Sequence, residues 1–274
     1  MATRKRYYII RGGVQGRERL RILSRVMRPS AISLLERVGV KPGMRCLDIG
    51  CGGGDLVFDL ARMVGNEGAV VGTDLDLETL GIARAEAREQ ALKNVSFGCE
   101  DITSGPPRET FDIVHARFVL THLPDPQGAV AHMKSALRPG GALVLQDIDF
   151  RGHFCFPEDP AFARYVDLYS ETVRRRGGDA NIGPRLARFL IDAGLVDIQI
   201  HIVQPAAMAG DVKLLVGLTM ESIADSVIAE GLASRSDVEA LVHRLYSLGD
   251  DTETLVSFPR IIQAWGYLRS SSRP

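Results

Sequence analysis

The stretch Cys46-Leu47-Asp48-Ile49-Gly50-Cys51-Gly52-Gly53-Gly54-Asp55 narrows what this chain can fold into more than any other. A short apolar run ends in a glycine-rich turn, and an amphipathic segment follows (Leu56, Val57, Phe58, Leu60, Ala61, Val64). The pattern reads strand, turn, helix. Glycines let the backbone bend sharply and let a ligand approach it closely. The helix after the turn offers unpaired N–H groups and the positive end of its dipole. A nucleotide-like ligand is the expectation.

Dinucleotide-binding domains use such a turn with the spacing G-x-G-x-x-G. Gly50 and Gly52 fit it, but the third glycine would fall on Asp55. A carboxylate there serves a pyrophosphate poorly. Downstream, a second strand over 69–72 ends in Thr73-Asp74-Leu75-Asp76. An acidic residue at the end of the second strand of a β-α-β unit reaches ribose hydroxyls, since each carboxylate oxygen can accept one. Asp74 takes that role, and Asp76 suits the N-cap of a helix over 77–90. A third strand, 95–98, leads to Glu100-Asp101-Ile102, and a fourth, 111–116, to the rim Arg117-Phe118-Val119-Leu120. Thr121-His122-Leu123-Pro124-Asp125 opens a helix over 129–137. Pro139-Gly140-Gly141 turns into a fifth strand, 142–146, which ends in Asp147-Ile148-Asp149.

The segment before this unit, 1–44, reads as a helical cover. One helix runs from Arg17 to Met27, with an apolar stripe of Leu20, Leu23, Val26 and Met27. A second opens at Pro29-Ser30 and closes around Gly39 and Pro42. Tyr8 either packs on the core or points its hydroxyl into the cofactor pocket.

Composition excludes several classes. The net charge of −1 provides no basic field for nucleic acid or a membrane surface. No window approaches ~20 consecutive apolar residues, so no membrane span is expected. The basic start is followed by too short an apolar run for a signal peptide. Cys46, Cys51, Cys99 and Cys155 form no C-x-x-C pair, and the six histidines are scattered singly. Free thiols in a cytoplasmic protein without a metal are expected.

From Cys46 to Asp149 the glycine turn, Asp74, Asp101, the Phe111-Asp112 strand and Leu137-Arg138-Pro139-Gly140-Gly141 together resemble the class I S-adenosylmethionine-dependent methyltransferases. The similarity is greatest to the small-molecule branch that includes ubiquinone/menaquinone-type methyltransferases. Cys99 departs from the aspartate that branch often carries. No Asn-Pro-Pro-Tyr stretch of DNA amino-methyltransferases follows strand four, and no Pro-Cys nucleophile of cytosine C5 enzymes occurs. The resemblance implies an α/β, Rossmann-like seven-stranded sheet in the order 3-2-1-4-5-7-6 with strand seven antiparallel. It implies S-adenosyl-L-methionine as cofactor, with Tyr8, Asp48, Gly50, Gly52, Asp74, Leu75, Asp101, Ile102 and Arg117 around it. In this family the acidic residue and its apolar successor grip adenine; Asp101-Ile102 matches, with Glu100 one register away.

The remainder, 150–274, carries a cluster of Phe154, Phe156, Phe162, Tyr165 and Tyr169, which suits core packing or an aromatic or polyketide-like acceptor. A helix from Ile182-Gly183-Pro184-Arg185 and a strand over 196–203 follow. Two helices span 211–249, the second capped by Ser236-x-x-Glu239. A last strand starts at Thr252, and 261–268 is helical or extended. The division expected is a cover (1–44), a core (45–210 and 250–274) and a helical lid inserted at 211–249.

Methyl transfer from a sulfonium is an in-line displacement that requires positioning and exclusion of water. A base is needed only where the acceptor must lose a proton. His122 and Asp147 are the candidates, with Asp149 and His153 beside them; a packing role competes with catalysis for His122, and a solvated strand end for Asp147. Arg174-Arg175-Arg176 either anchors an acidic acceptor or ends a helix in solvent. The alternatives to a methyltransferase of a small molecule are an NAD-dependent oxidoreductase and a non-catalytic cofactor-binding partner protein. A homodimer is compatible with the sequence.

Overall fold

The computed structural model describes residues 10, 13–105 and 110–270. A seven-stranded sheet forms its centre: β1 (Arg45–Ile49), β2 (Ala69–Asp74), β3 (Val95–Cys99), β4 (Phe111–Arg117), β5 (Leu137–Asp149), β7 (Val196–Val203) and β10 (Arg260–Tyr267). Their spatial order is β3-β2-β1-β4-β5-β10-β7. The first five run parallel, and β10 pairs antiparallel with both β5 and β7. This is the expected order, the last strand in sequence being strand seven of the family pattern.

Side-chain alternation splits the sheet into two cores. Cys46, Ile113, Ala142, Val144 and Trp265 face α1 (Gly13–Val38), α2 (Asp55–Val64) and α3 (Leu77–Glu89). Leu47, Ile49, Val114, Ala116, Leu143, Leu145 and Ile262 face α4 (Pro126–Ser135) and α6 (Leu186–Asp192). A third core lies under α5 (Pro160–Arg175), α7 (Asp211–Ala229) and α8 (Arg235–Asp250).

A file of polar side chains crosses the α1–α3 face of the sheet. Asp48 Oδ1 contacts His115 Nδ1 at 2.7 Å, and His115 Nε2 meets Gln146 Nε2 at 2.7 Å. Gln263 Nε2 donates to Gln146 Oε1 at 2.9 Å, and His201 Nδ1 meets Gln263 Oε1 at 3.1 Å. Five adjacent strands are thereby tied side chain to side chain. One direction satisfies every atom: each amide donates toward β1, so His115 accepts on Nε2 and donates from Nδ1 to Asp48.

Four details differ from the sequence reading. The lead-in is one helix, with Pro29 inside it, not two. Met27, Ala31, Leu34, Leu35 and Val38 are all buried in phase across the proline, and that burial outweighs its helix penalty of ~3 kcal/mol. The Pro139-Gly140-Gly141 segment bulges within β5, between the pairs Phe111–Leu137 and Ile113–Ala142. The strand near Thr252 is only β9 (Leu255–Ser257), and it belongs to a separate three-stranded sheet with β6 (Cys155–Phe156) and β8 (Ala206–Ala207). The capping box of α8 is Ser234 with Asp237, two residues earlier than Ser236 and Glu239.

Gln146→Leu strands His115 Nε2 and leaves the Gln263 Nε2 only the long contact to Ser30 O at 3.5 Å. Each orphaned buried group costs about 1–3 kcal/mol. Urea denaturation should show a clearly lowered midpoint, and an unchanged midpoint would mean the file carries no stability.

Candidate functional site

The carboxyl ends of β1, β2 and β4 open on a cleft of about 750 Å³. That is within the ~300–1,000 Å³ typical of small-molecule sites. Its floor is the glycine turn. Gly50 and Gly52 adopt φ of +69° and +52°, which L-residues rarely take, and a Cβ on Gly50 would lie 2.5 Å from Val119. The Asp74 carboxylate fastens the turn: Oδ2 accepts the Gly52 N–H at 2.9 Å and Oδ1 the Asp76 N–H at 3.0 Å. Burial raises the Asp74 carboxyl above its ordinary range, and these N–H groups oppose the shift. Asp76 caps α3, accepting from Glu78 and Thr79.

From the other side α1 clamps the turn. Arg17, itself buried, pairs with Asp55 through Nη1 at 2.6 Å and with Glu86 through Nη2 at 2.6 Å. The Arg17 guanidinium holds the Glu86 carboxyl below its ordinary range. Asp55, which breaks the dinucleotide spacing, thus links α1 to α2, as Asp59 does through Arg28.

Gly50, Gly52, Asp74, Leu75, Asp101, Ile102, Arg117 and His122 all line the cleft. Asp101 also caps a short turn at Ile102–Ser104, accepting the Thr103 N–H at 2.9 Å. Arg117 stacks beside Phe118, 5.8 Å from the ring centroid, and burial lowers its guanidinium pKa. Phe118 itself has φ of +58°, a strained backbone at the mouth of the cleft. Tyr8 lies outside the described residues.

Two proposed residues do not reach the cleft. Asp48 sits on the sheet face under α1–α3 because strand alternation directs it to His115. Asp147 is fully buried; its carboxylate accepts the N–H of Thr121 at 3.1 Å and of Ile148 at 2.9 Å. Burial pushes its pKa up to about 7. Its service is to pin the turn Leu120–His122 onto β5, and so to position His122. Asp149 is likewise withdrawn, paired with Arg151 and Arg260. His153 is packed edge-on to Phe150 and Phe162.

The second half of the cleft was foreseen in the sequence only through Tyr165 and Tyr169 of the aromatic cluster. Arg19 of α1 and Thr219 of α7 line it with Phe150, Tyr165, Tyr169 and Phe258. Phe150 stacks on Tyr169 at 4.1 Å between centroids. Of the aromatic cluster read from the sequence, Phe162, Tyr165 and Tyr169 are buried while Phe154 and Phe156 are exposed. The arginine run is spent on the surface: Arg174 and Arg175 pair with Glu171, and Arg176 with Glu230. Arg19 shares a helical turn with Arg17 and Arg21, and nothing in the local pattern marks it as the one turned into the cleft.

Burial, aided by the charge of Arg19, depresses the His122 pKa to about 3, and burial alone does the same for His153. An unfolded histidine titrates near 6.5. Between pH ~6.5 and ~3 the unfolded chain therefore binds more protons, and stability falls as pH drops through that window. Asp147 acts in the opposite sense, since its native pKa is raised. His153→Phe should flatten the acid loss of melting temperature while leaving the value at pH 8 nearly unchanged. An identical slope in the variant would contradict the burial of a neutral imidazole there.

Comparison with known proteins agrees with this geometry. Residues 40–170 match a family model described as a methyltransferase domain. The ubiquinone/menaquinone biosynthesis C-methyltransferase UbiE of Teredinibacter turnerae is 36% identical over 141 residues, 51% of this chain and 54% of that protein. The chain thus spans about half the length of the curated relatives it matches. Among solved structures, the YcgJ protein of Bacillus subtilis superposes over 89% of this chain and 100% of its own, with a TM-score of 0.59 at 19% identity. Phosphoethanolamine N-methyltransferase 2 of Haemonchus contortus, in complex with S-adenosyl-L-methionine, covers 89% of this chain and 53% of its own, with a TM-score of 0.55 at 18% identity. At these identities the structures speak for the fold, and the sequence match is a similarity over about half of the chain. Over residues 40–170 this chain is thus similar to a class I S-adenosylmethionine-dependent methyltransferase domain.

Proposed function

We propose that this protein transfers a methyl group from S-adenosylmethionine to a small-molecule acceptor. The observation that carries the reading is the glycine turn held between Asp74 and the Arg17–Asp55 clamp at the floor of the cleft. A carboxylate takes the place where a dinucleotide turn needs its third glycine, which counts against an NAD-dependent oxidoreductase. The C-methyltransferase name of the UbiE relative and the cofactor in the Haemonchus structure support the same chemistry.

In this reading Gly50 and Gly52 let the cofactor approach the backbone. Asp74 has lone pairs left for the ribose hydroxyls after accepting two N–H groups. Leu75, Asp101 and Ile102 surround the adenine, and the Arg117 guanidinium suits the carboxylate of the methionine end. S-adenosylmethionine, when bound, supplies a methyl already activated by its positive sulfur. The protein contributes position and dryness. Helices α7 and α8 serve as the lid over the acceptor half. Lys213 anchors the first of them, its buried ammonium donating to Thr254 Oγ1 at 2.7 Å.

His122 serves as the base where the acceptor must lose a proton, and Asp147 acts only through it. An imidazole held near pKa 3 stays unprotonated throughout the neutral range. Among the described residues no helix is long and apolar enough to cross a membrane. The four cysteines are all free, which supports a reducing cytoplasmic setting.

Calorimetry with S-adenosylmethionine against NADH tests the cofactor. Tight binding of the first and none of the second is expected. Gly52→Val should abolish binding in a folded protein, because valine is strained at a φ of +52° and its branches enter the ligand space. NADH binding, or undiminished S-adenosylmethionine affinity in that variant, would remove the assignment of the turn.

Release of S-adenosylhomocysteine identifies an acceptor, and with it the base can be tested. His122→Ala should lower kcat by roughly 10²–10⁴-fold with cofactor affinity kept. The wild-type kcat/KM profile should show no histidine limb near pH 6.5, since the free enzyme's imidazole titrates far below it. Normal turnover of His122→Ala at saturating acceptor would leave His122 a packing residue.

A further inference from the structure

The acceptor half of the cleft holds a buried cation, Arg19, with which no carboxylate pairs among the described residues, although Asp225 of α7 lines the same cavity. Arg19 is 7% exposed, and its Nε donates to Thr219 Oγ1 at 3.2 Å. The other inward and flanking arginines of α1 are all paired: Arg17 with Asp55 and Glu86, Arg21 with Glu86, Arg25 with Asp211 and Arg28 with Asp59. Among the described residues no such pair includes Arg19. A guanidinium taken out of water without an anion costs several kcal/mol, so its retention calls for a partner that arrives from outside. Its surroundings define that partner's body. The rings of Phe150, Tyr165, Tyr169 and Phe258 line the same space and favour a flat apolar skeleton.

We propose that Arg19 is the specificity-determining residue for the acceptor, and that the acceptor is a flat, apolar molecule bearing an anionic oxygen group, a carboxylate or a phenolate. This rests on the reading of the glycine-turn half as the cofactor site. Thr219 holds the guanidinium from α7 and leaves its terminal nitrogens to form the fork that an anionic oxygen group accepts. Through the same bond the cation ties α1 to α7, so the anion is read at the junction of cover and lid.

The probe is 2-naphthoate against its neutral counterpart 2-naphthamide, titrated calorimetrically into the full chain saturated with S-adenosylhomocysteine. Naphthoate should bind at least tenfold more tightly. Arg19→Gln should erase that preference, Arg19→Lys should keep part of it, and S-adenosylhomocysteine affinity should stay within twofold in both. Thr219→Val, which removes only the orienting hydroxyl, should reduce the preference without removing it, and covers the case of an Arg19 variant that fails to fold. Equal binding of the two probes, no naphthoate binding, or a preference that survives Arg19→Gln overturns the proposal. So does a loss in Arg19→Gln that falls on S-adenosylhomocysteine, because Arg19 would then belong to the cofactor. Absence of S-adenosylhomocysteine binding to the wild-type chain rejects the cofactor reading instead, and a naphthoate preference in that chain would still uphold the anion site.

Discussion

The side-chain file from Asp48 to His201 is the constraint on which the central sheet turns. Sheets of this type gain order from backbone ladders, but ladders alone permit slips in register. Here a slip of one residue would bury a glutamine amide or an imidazole with nothing to bond. The polar atoms thus convert a tolerance for register error into a penalty of several unsatisfied groups. Because β1 and β4 are locked together in this way, the turns at their carboxyl ends meet with fixed spacing. Gly50 fits within a methyl's reach of Val119 for that reason.

The two halves of the cleft obey different rules. The glycine-turn half is held by charge-assisted contacts, Asp74 to backbone and Arg17 to Asp55 and Glu86. The other half is built of packed rings and helix faces, with Arg19 of α1 and Asp225 of α7 as charged groups in its lining. His122 stands where the halves meet, kept neutral by burial and by that same cation. The pinned turn under it depends on Asp147, so a carboxylate that never reaches the cleft still sets the imbalance of polarity inside it.

Much of the core was legible because its signals are local. The glycine spacing, the aspartate closing β2 and the apolar alternation of β1 and β4 each follow from residues within a few positions. Asp48 shows where local reading stops: its partner, His115, lies on another strand, and only the topology brings them together. Pro29 shows a second limit, since local propensity ends a helix that long-range burial continues. The short β9, the true capping box at Ser234 and the inward turn of Arg19 depend on contacts distant in sequence. No periodicity distinguishes Arg19 from its neighbours in an arginine-rich helix.

One helix, α1, supplies both the Arg17 clamp under the glycine turn and the Arg19 contact to α7. The consequence is modular. Helices α7 and α8 are contiguous in sequence and look exchangeable, yet half of what they pack upon is encoded two hundred residues earlier. A graft of α7 and α8 alone would bring new α7 side chains against an old α1 face, with Arg25 and Asp211 mismatched at its edge as well. Under the proposed function, the unit that sets acceptor choice is therefore discontinuous: α1 and the α7–α8 pair change together, while the sheet between them stays as it is.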